Sequence, residues 1–198
     1  KQTNKTHKEK HMALVQTSNL PSMLTSKDCI PSRTRVQARC IEEKFGDSSK
    51  GNKMITREWE VVQPEVISIN GTNKALAGTK LKQYLTLESY DASGKRSSTS
   101  DGLLARYRDE QIALQLPDVN GSLSAADYQV DPEAPLLSAT GIIADINIGS
   151  EEYEFRNAPT PDDLAAGRKY GSVKLGADGK PEKGYRPRLE GVLSRAAA

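Results

Sequence analysis

The chain has 198 residues, with 28 Lys and Arg against 26 Asp and Glu and 36% hydrophobic residues, the size of one domain with long loops and enough to bury a core. Two cysteines, Cys29 and Cys40, are too few for a disulfide scaffold, and the only histidines, His7 and His11, leave no zinc ligand set, so no metal and no cofactor is expected. No apolar run approaches the roughly 20 residues that span a bilayer, and nothing after Met12 resembles a secretory signal, so an intracellular protein with no membrane partner is expected.

Residues 1–11 form a polar run without periodicity that ends at His11, and they read as an expression-tag remnant, with Met12 as the native start. That run carries +3 of charge, so the formal +2 of the whole sequence becomes −1 for residues 12–198. Overall charge therefore makes no case for a nucleic-acid partner, and any such case rests on local charge. The distribution is uneven: Asp101 to Glu133 nets −5, while Arg156 to the end nets +4.

Residues 12–32 mix apolar and polar residues with two prolines and read as an N-terminal arm with at most one short strand. From Arg33 to Phe45 the pattern has period two, Val36, Ala38 and Cys40 opposing Arg33, Arg35, Gln37 and Arg39, as a half-buried strand requires. Cys40 reads as a small core residue. A polar loop from Gly46 to Asn52 leads to Met54–Val62, where Ile55, Arg57, Trp59 and Val61 oppose Met54, Thr56, Glu58 and Glu60, completing a long hairpin. Val66–Ile69 is a short apolar strand ending at the turn pair Asn70-Gly71, and Lys80–Glu88 alternates Leu81, Gln83, Leu85 and Leu87 with Lys82, Tyr84 and Thr86. Ser100-Asp101 is a fitting N-cap for a helix through Leu103, Leu104, Tyr107, Ile112 and Leu114 that Pro117 stops. Leu137–Ile148 and Glu152–Asn157 read as a second hairpin turned at Gly149-Ser150. Residues 158–188 are rich in Pro, Gly, Lys and Asp without apolar periodicity, so 158–198 reads as a loop-rich C-terminal extension with a last short strand at Leu189–Leu193.

Catalytic patterns are absent: no phosphate-cradling glycine loop, no histidine for a nucleophile–base pair, no Ser in a Gly-x-Ser-x-Gly setting. The carboxylate pairs Glu58/Glu60, Glu151/Glu152 and Asp162/Asp163 have no spacing that links them into a magnesium site and read as solvated surface, so the chain is not expected to be an enzyme.

Binding features are more informative. Proteins that hold single strands without reading sequence combine a basic groove that tracks phosphates with aromatic side chains on which bases stack. Arg33, Arg35 and Arg39 share a strand face; Arg57 and Trp59 share one on the next strand; Lys82 and Tyr84 share one on the third; Lys50 and Lys53 flank the hairpin loop. Each has a plainer alternative: Trp59 keeps company with Ile55 and Val61 and on general grounds suits a packed core better than a stacking platform, Tyr153 and Phe155 suit half-buried packing, and the loop lysines suit solubility.

The segments Arg33-Thr-Arg-Val-Gln-Ala-Arg-Cys-Ile41, Ser49-Lys-Gly-Asn-Lys-Met-Ile55 and Arg57-Glu-Trp-Glu-Val61, with the later Gly141-Ile-Ile-Ala-Asp-Ile-Asn-Ile148 and Glu152-Tyr-Glu-Phe155, resemble the OB-fold of phage single-stranded-DNA-binding proteins. The resemblance implies a mainly β fold, a five-stranded OB-type barrel over residues 33–157 with one helix between strands three and four and long loops. It implies DNA crossing the strand two to three face, with Arg33, Arg35, Arg39, Lys50, Lys53, Arg57 and Lys82 on phosphate and Trp59 and Tyr84 on bases. The implied role is protection of single strands during phage replication or recombination, with single-stranded DNA, replication or recombination proteins and a second copy of the chain as partners. The chain departs from that family at its end, which is basic and then bland where such proteins carry an acidic tail. Two other readings stand beside it: a virion or phage–host docking module built on a similar β-barrel, and a metal-dependent nuclease.

Overall fold

A computed structural model describes residues 21–197; the expected tag remnant and start at Met12 lie outside the described residues. The fold is mainly β. In chain order it comprises β1 (Ser22–Met23), β2 (Thr34–Asp47), β3 (Lys53–Gln63), β4 (Val66–Ile69), β5 (Thr72–Ala75), β6 (Lys80–Glu88), α1 (Ser100–Ala113), β7 (Ile143–Glu154), α2 (Pro161–Ala165) and β8 (Lys183–Arg195). The long strands make one five-stranded sheet ordered β6-β3-β2-β7-β8, and the short ones a three-stranded sheet ordered β1-β5-β4.

Alternation accounts for β2, β3 and β6. On β2, Val36, Ala38 and Cys40 are buried, then a register shift between Cys40 and Glu42 inserts Ile41 as a bulge. The inserted residue reverses the phase, so Glu43 and Phe45, not Glu42 and Lys44, continue inward. The inner faces enclose a core of Val36, Trp59, Leu81, Leu114, Ile146 and Ile148 with their neighbours, and a smaller cluster of Ile55, Leu85, Leu87 and Tyr107 lies beneath α1. The Asn70-Gly71 turn takes two left-handed residues, φ 50° and 75°, which suits a two-residue hairpin and joins β4 to β5.

Three expectations are corrected. Gly149-Ser150 is not a turn: β7 runs straight through both residues, which pair with Arg188 and Pro187 of β8. The strand that returns along β7 is therefore β8, not Glu152–Asn157. Residues 183–195 are not extension but the fifth strand of the main sheet, so the boundary at 157 falls inside the folded unit. The strand forms despite Gly184, Pro187 and Gly191 because its order comes from the ladder with β7, with Leu189 and Val192 packed against the core. At the helix, Thr99 rather than Ser100 or Asp101 occupies the N-cap position; the buried Ser100 hydroxyl instead donates to the Ser89 carbonyl at 3.3 Å.

Candidate nucleic-acid interface

The edge strands of the main sheet are β6 and β8, and a cleft of about 350 Å³ lies between them, lined by Lys80, Lys82, Tyr84, Glu151, Arg186, Pro187 and Arg188. The pleat explains the lining: on β6, buried Leu81, Gln83 and Leu85 alternate with exposed Lys80, Lys82 and Tyr84, and on β8 exposed Arg186 and Arg188 flank Pro187. Tyr84 leaves 59% of its surface to solvent, a large aromatic without a packing role.

The cleft is cationic with partial compensation. Lys80 contacts Glu58 at 3.0 Å, and that hydrogen bond holds its amine above the usual lysine value while holding the Glu58 carboxyl below the usual glutamate value. Arg186 contacts Glu151 at 2.9 Å, and its guanidinium lies 6.0 Å over the Tyr153 ring. Among the described residues, Lys82 and Arg188 have no ion-pair partner. Two uncommitted cations and an exposed ring can take a phosphate and a stacked base.

The expected binding residues divide. Lys82 and Tyr84 line the cleft. Arg35 and Arg39 are exposed along β2, which β3 separates from β6, and Arg33 is exposed in the turn before it at φ 60°; Arg35 is held by Asp145 at 2.8 Å, and none of the three joins the cleft lining. Lys50 is exposed at the β2–β3 loop, whereas Lys53 is tied to Glu133 at 3.0 Å and Asp47 at 3.3 Å, which raises its pKa. Arg57 and Trp59 are corrected outright: both are fully buried, because the face of β3 that carries them is the one that packs. Sequence reading missed Lys80, Arg186 and Arg188. Lys80 continues the Lys82–Tyr84 alternation and was legible there; Arg186 and Arg188 alternate across a proline that reads as loop.

Beneath the cleft strand lies a buried polar cluster. Arg57 Nε donates to Glu43 Oε1 at 2.6 Å and its Nη1 donates to Glu110 Oε1; Gln83 Nε2 donates to Glu110 Oε2 at 2.8 Å, while Gln83 Oε1 accepts from Trp59 Nε1 at 2.9 Å. Glu43 Oε2 also accepts from the Ala139 amide at 3.0 Å. The Arg57 guanidinium lies 5.9 Å over the Tyr107 ring, whose hydroxyl accepts from Gln111 and donates to the Leu136 carbonyl at 3.0 Å. Burial pushes the Glu110 carboxyl above the usual glutamate value against the pull of Arg57, and pushes the Tyr107 phenol up to about 12. A raised buried carboxyl marks candidate catalytic sites, but the Glu110 side chain is only 9% exposed and its partners join β2, β3, β6 and α1 from within. Among the described residues, no three His, Cys, Asp or Glu side chains gather as a metal site.

No family model matches the chain, and no curated protein matches it. Among the described residues, no helix is long and apolar enough to cross a membrane.

Proposed function

We propose that this chain binds single-stranded DNA without strong sequence preference, holding the strand in the β6–β8 cleft. The observation that carries the reading is the lining itself: Lys80, Lys82, Arg186 and Arg188 for phosphate, with exposed Tyr84 for a base. An OB-type barrel is the architecture we assign. That fold is a partly open five-stranded barrel whose second and third strands and flanking loops take oligonucleotides. Counting β2 as the first of the five long strands, β3 and β6 are the second and third, α1 falls between the third and fourth, and residues 155–182 link the fourth and fifth. In this reading the protein shields single strands during phage replication or recombination inside the cell, beside replication or recombination proteins. A second reading, a virion or phage–host docking module, draws support from Leu164, Tyr170 and Leu175, exposed on the link between β7 and β8.

Fluorescence anisotropy with a labelled single strand and the matching duplex tests the first reading. We expect single-strand binding whose log affinity falls against log salt with a slope of about −3 if all four cations meet phosphate. Tyr84→Ala should weaken it by roughly 5- to 150-fold, the loss of one stacked base at about 1–3 kcal/mol. Absence of binding at low salt, or equal affinity for duplex and single strand, overturns the reading and leaves the docking module.

A further inference from the structure

The two edges of the main sheet face each other. β3 is antiparallel to β2 and β6 is antiparallel to β3, so β6 runs parallel to β2; β7 is antiparallel to β2 and β8 to β7, so β8 does too. The edges are therefore parallel to one another, so a ladder between them would be a parallel one. Their Cα atoms approach within 8 Å, closer than the roughly 9.6 Å that one intervening strand requires. Yet among the described residues no backbone hydrogen bond joins them.

Two features oppose pairing along this seam. Pro187 has no N–H, so β8 has no ladder donor at that residue, as is typical of prolines in edge strands. Lys80, Lys82, Arg186 and Arg188 line the same gap with Glu151 among them, and cations brought together in a partly desolvated cleft repel. A third strand does not fit the gap, but neutralisation relieves the repulsion.

We propose that a phosphodiester backbone lying along this seam draws β6 and β8 into a parallel ladder beyond Pro187, closing the open sheet as it binds. The inference rests on the reading of the cleft as a nucleic-acid site and adds what binding does to the protein. Phosphates take the place of the missing counter-charges, Lys82 and Arg188 cease to oppose each other, and the free N–H and C=O groups from Leu189 onward find partners on β6. The bound strand is then released only when the ladder reopens.

Amide hydrogen exchange tests this in the full chain, with an oligothymidylate as the probe and α1 as the internal reference. Exchange in β6 and in Leu189–Leu193 should slow by at least about tenfold on saturation, while α1 stays unchanged. The Lys82→Gln/Arg188→Gln double variant, measured without oligonucleotide, should show part of the same slowing, because it removes the repulsion without adding a ligand. Binding seen by anisotropy with no change in β6 or β8 exchange overturns closure and leaves the binding reading intact. Protection by oligonucleotide with an unchanged double variant also overturns it, since shielding by contact then explains the protection. If no oligonucleotide binds, the nucleic-acid reading fails with it, and slowing in the double variant alone identifies the seam as charge-gated without a nucleic acid.

Discussion

Replacing Arg57 by Met isolates the buried cluster that anchors the cleft strand. Arg57 is fully buried with two carboxylate partners, Glu43 at 0% and Glu110 at 9% side-chain exposure. Methionine fills most of the aliphatic volume but leaves both carboxylates without a cation in a site water does not reach. Breaking a buried ion pair by removing one member costs about 3–5 kcal/mol. For a domain of this length each kcal/mol moves the melting temperature by about 2–4 °C, so Arg57→Met should melt roughly 6–20 °C lower. The sign of the pH dependence follows from the Glu110 carboxyl. Without Arg57 the folded-state pKa of Glu110, already raised by burial, rises further above the ordinary glutamate value of 4.5. A raised folded pKa gives stability that is present below the unfolded pKa and lost as pH rises through the folded one. The deficit should therefore be largest at neutral pH and shrink toward about pH 4.5. Urea titrations at a series of pH values, followed by the emission of Trp59, the single tryptophan, measure it. The triple variant Arg57→Met/Glu43→Gln/Glu110→Gln should recover most of the loss. A deficit below about 1 kcal/mol at neutral pH, or one that does not vary with pH, refutes the argument that the guanidinium compensates two desolvated charges.

The remaining predictions are smaller. Trp59 has no solvent-exposed surface and donates to Gln83, so its emission should be blue-shifted and unaffected by iodide or by a bound oligonucleotide; strong quenching by either would show that the β3 face opens. Burial pushes the Cys40 thiol up to about 11, whereas Cys29 is exposed. A thiol reagent at about pH 8 should therefore consume one equivalent quickly and the second only on unfolding, and two fast equivalents would contradict the burial. A Cβ at Gly184 would lie 2.9 Å from Phe155 and 3.1 Å from Tyr153, rings that pack edge to face at 5.2 Å. Gly184→Ala should cost about 1–3 kcal/mol in thermal or denaturant unfolding, and an unchanged melt would show that the rings move aside.

Short-range pattern was legible directly in the residues. Alternation in 36–40, 55–61 and 81–87 defined three strands and their inner faces, the run from Leu103 to Leu114 before Pro117 defined the helix, and the Asn70-Gly71 pair defined a turn. Lys82 and Tyr84 were readable as an exposed pair because their neighbours on that face, Lys80 and Thr86, are polar. Tertiary structure alone decided the rest. Whether the Arg57–Trp59 face met solvent or core depended on Glu43 and Glu110, 14 and 53 residues away, which make a buried guanidinium tolerable. The bulge at Ile41 that turns Glu43 inward has no signature in the alternation, since it is set by the register against β3. β8 is a strand because β7 continues through Gly149-Ser150 and offers it a ladder, so half of the cleft was invisible in a segment whose own residues favour loops. Local propensity acts over a few residues, whereas strand pairing, burial of charge and the meeting of two sheet edges are settled between segments tens to more than a hundred residues apart.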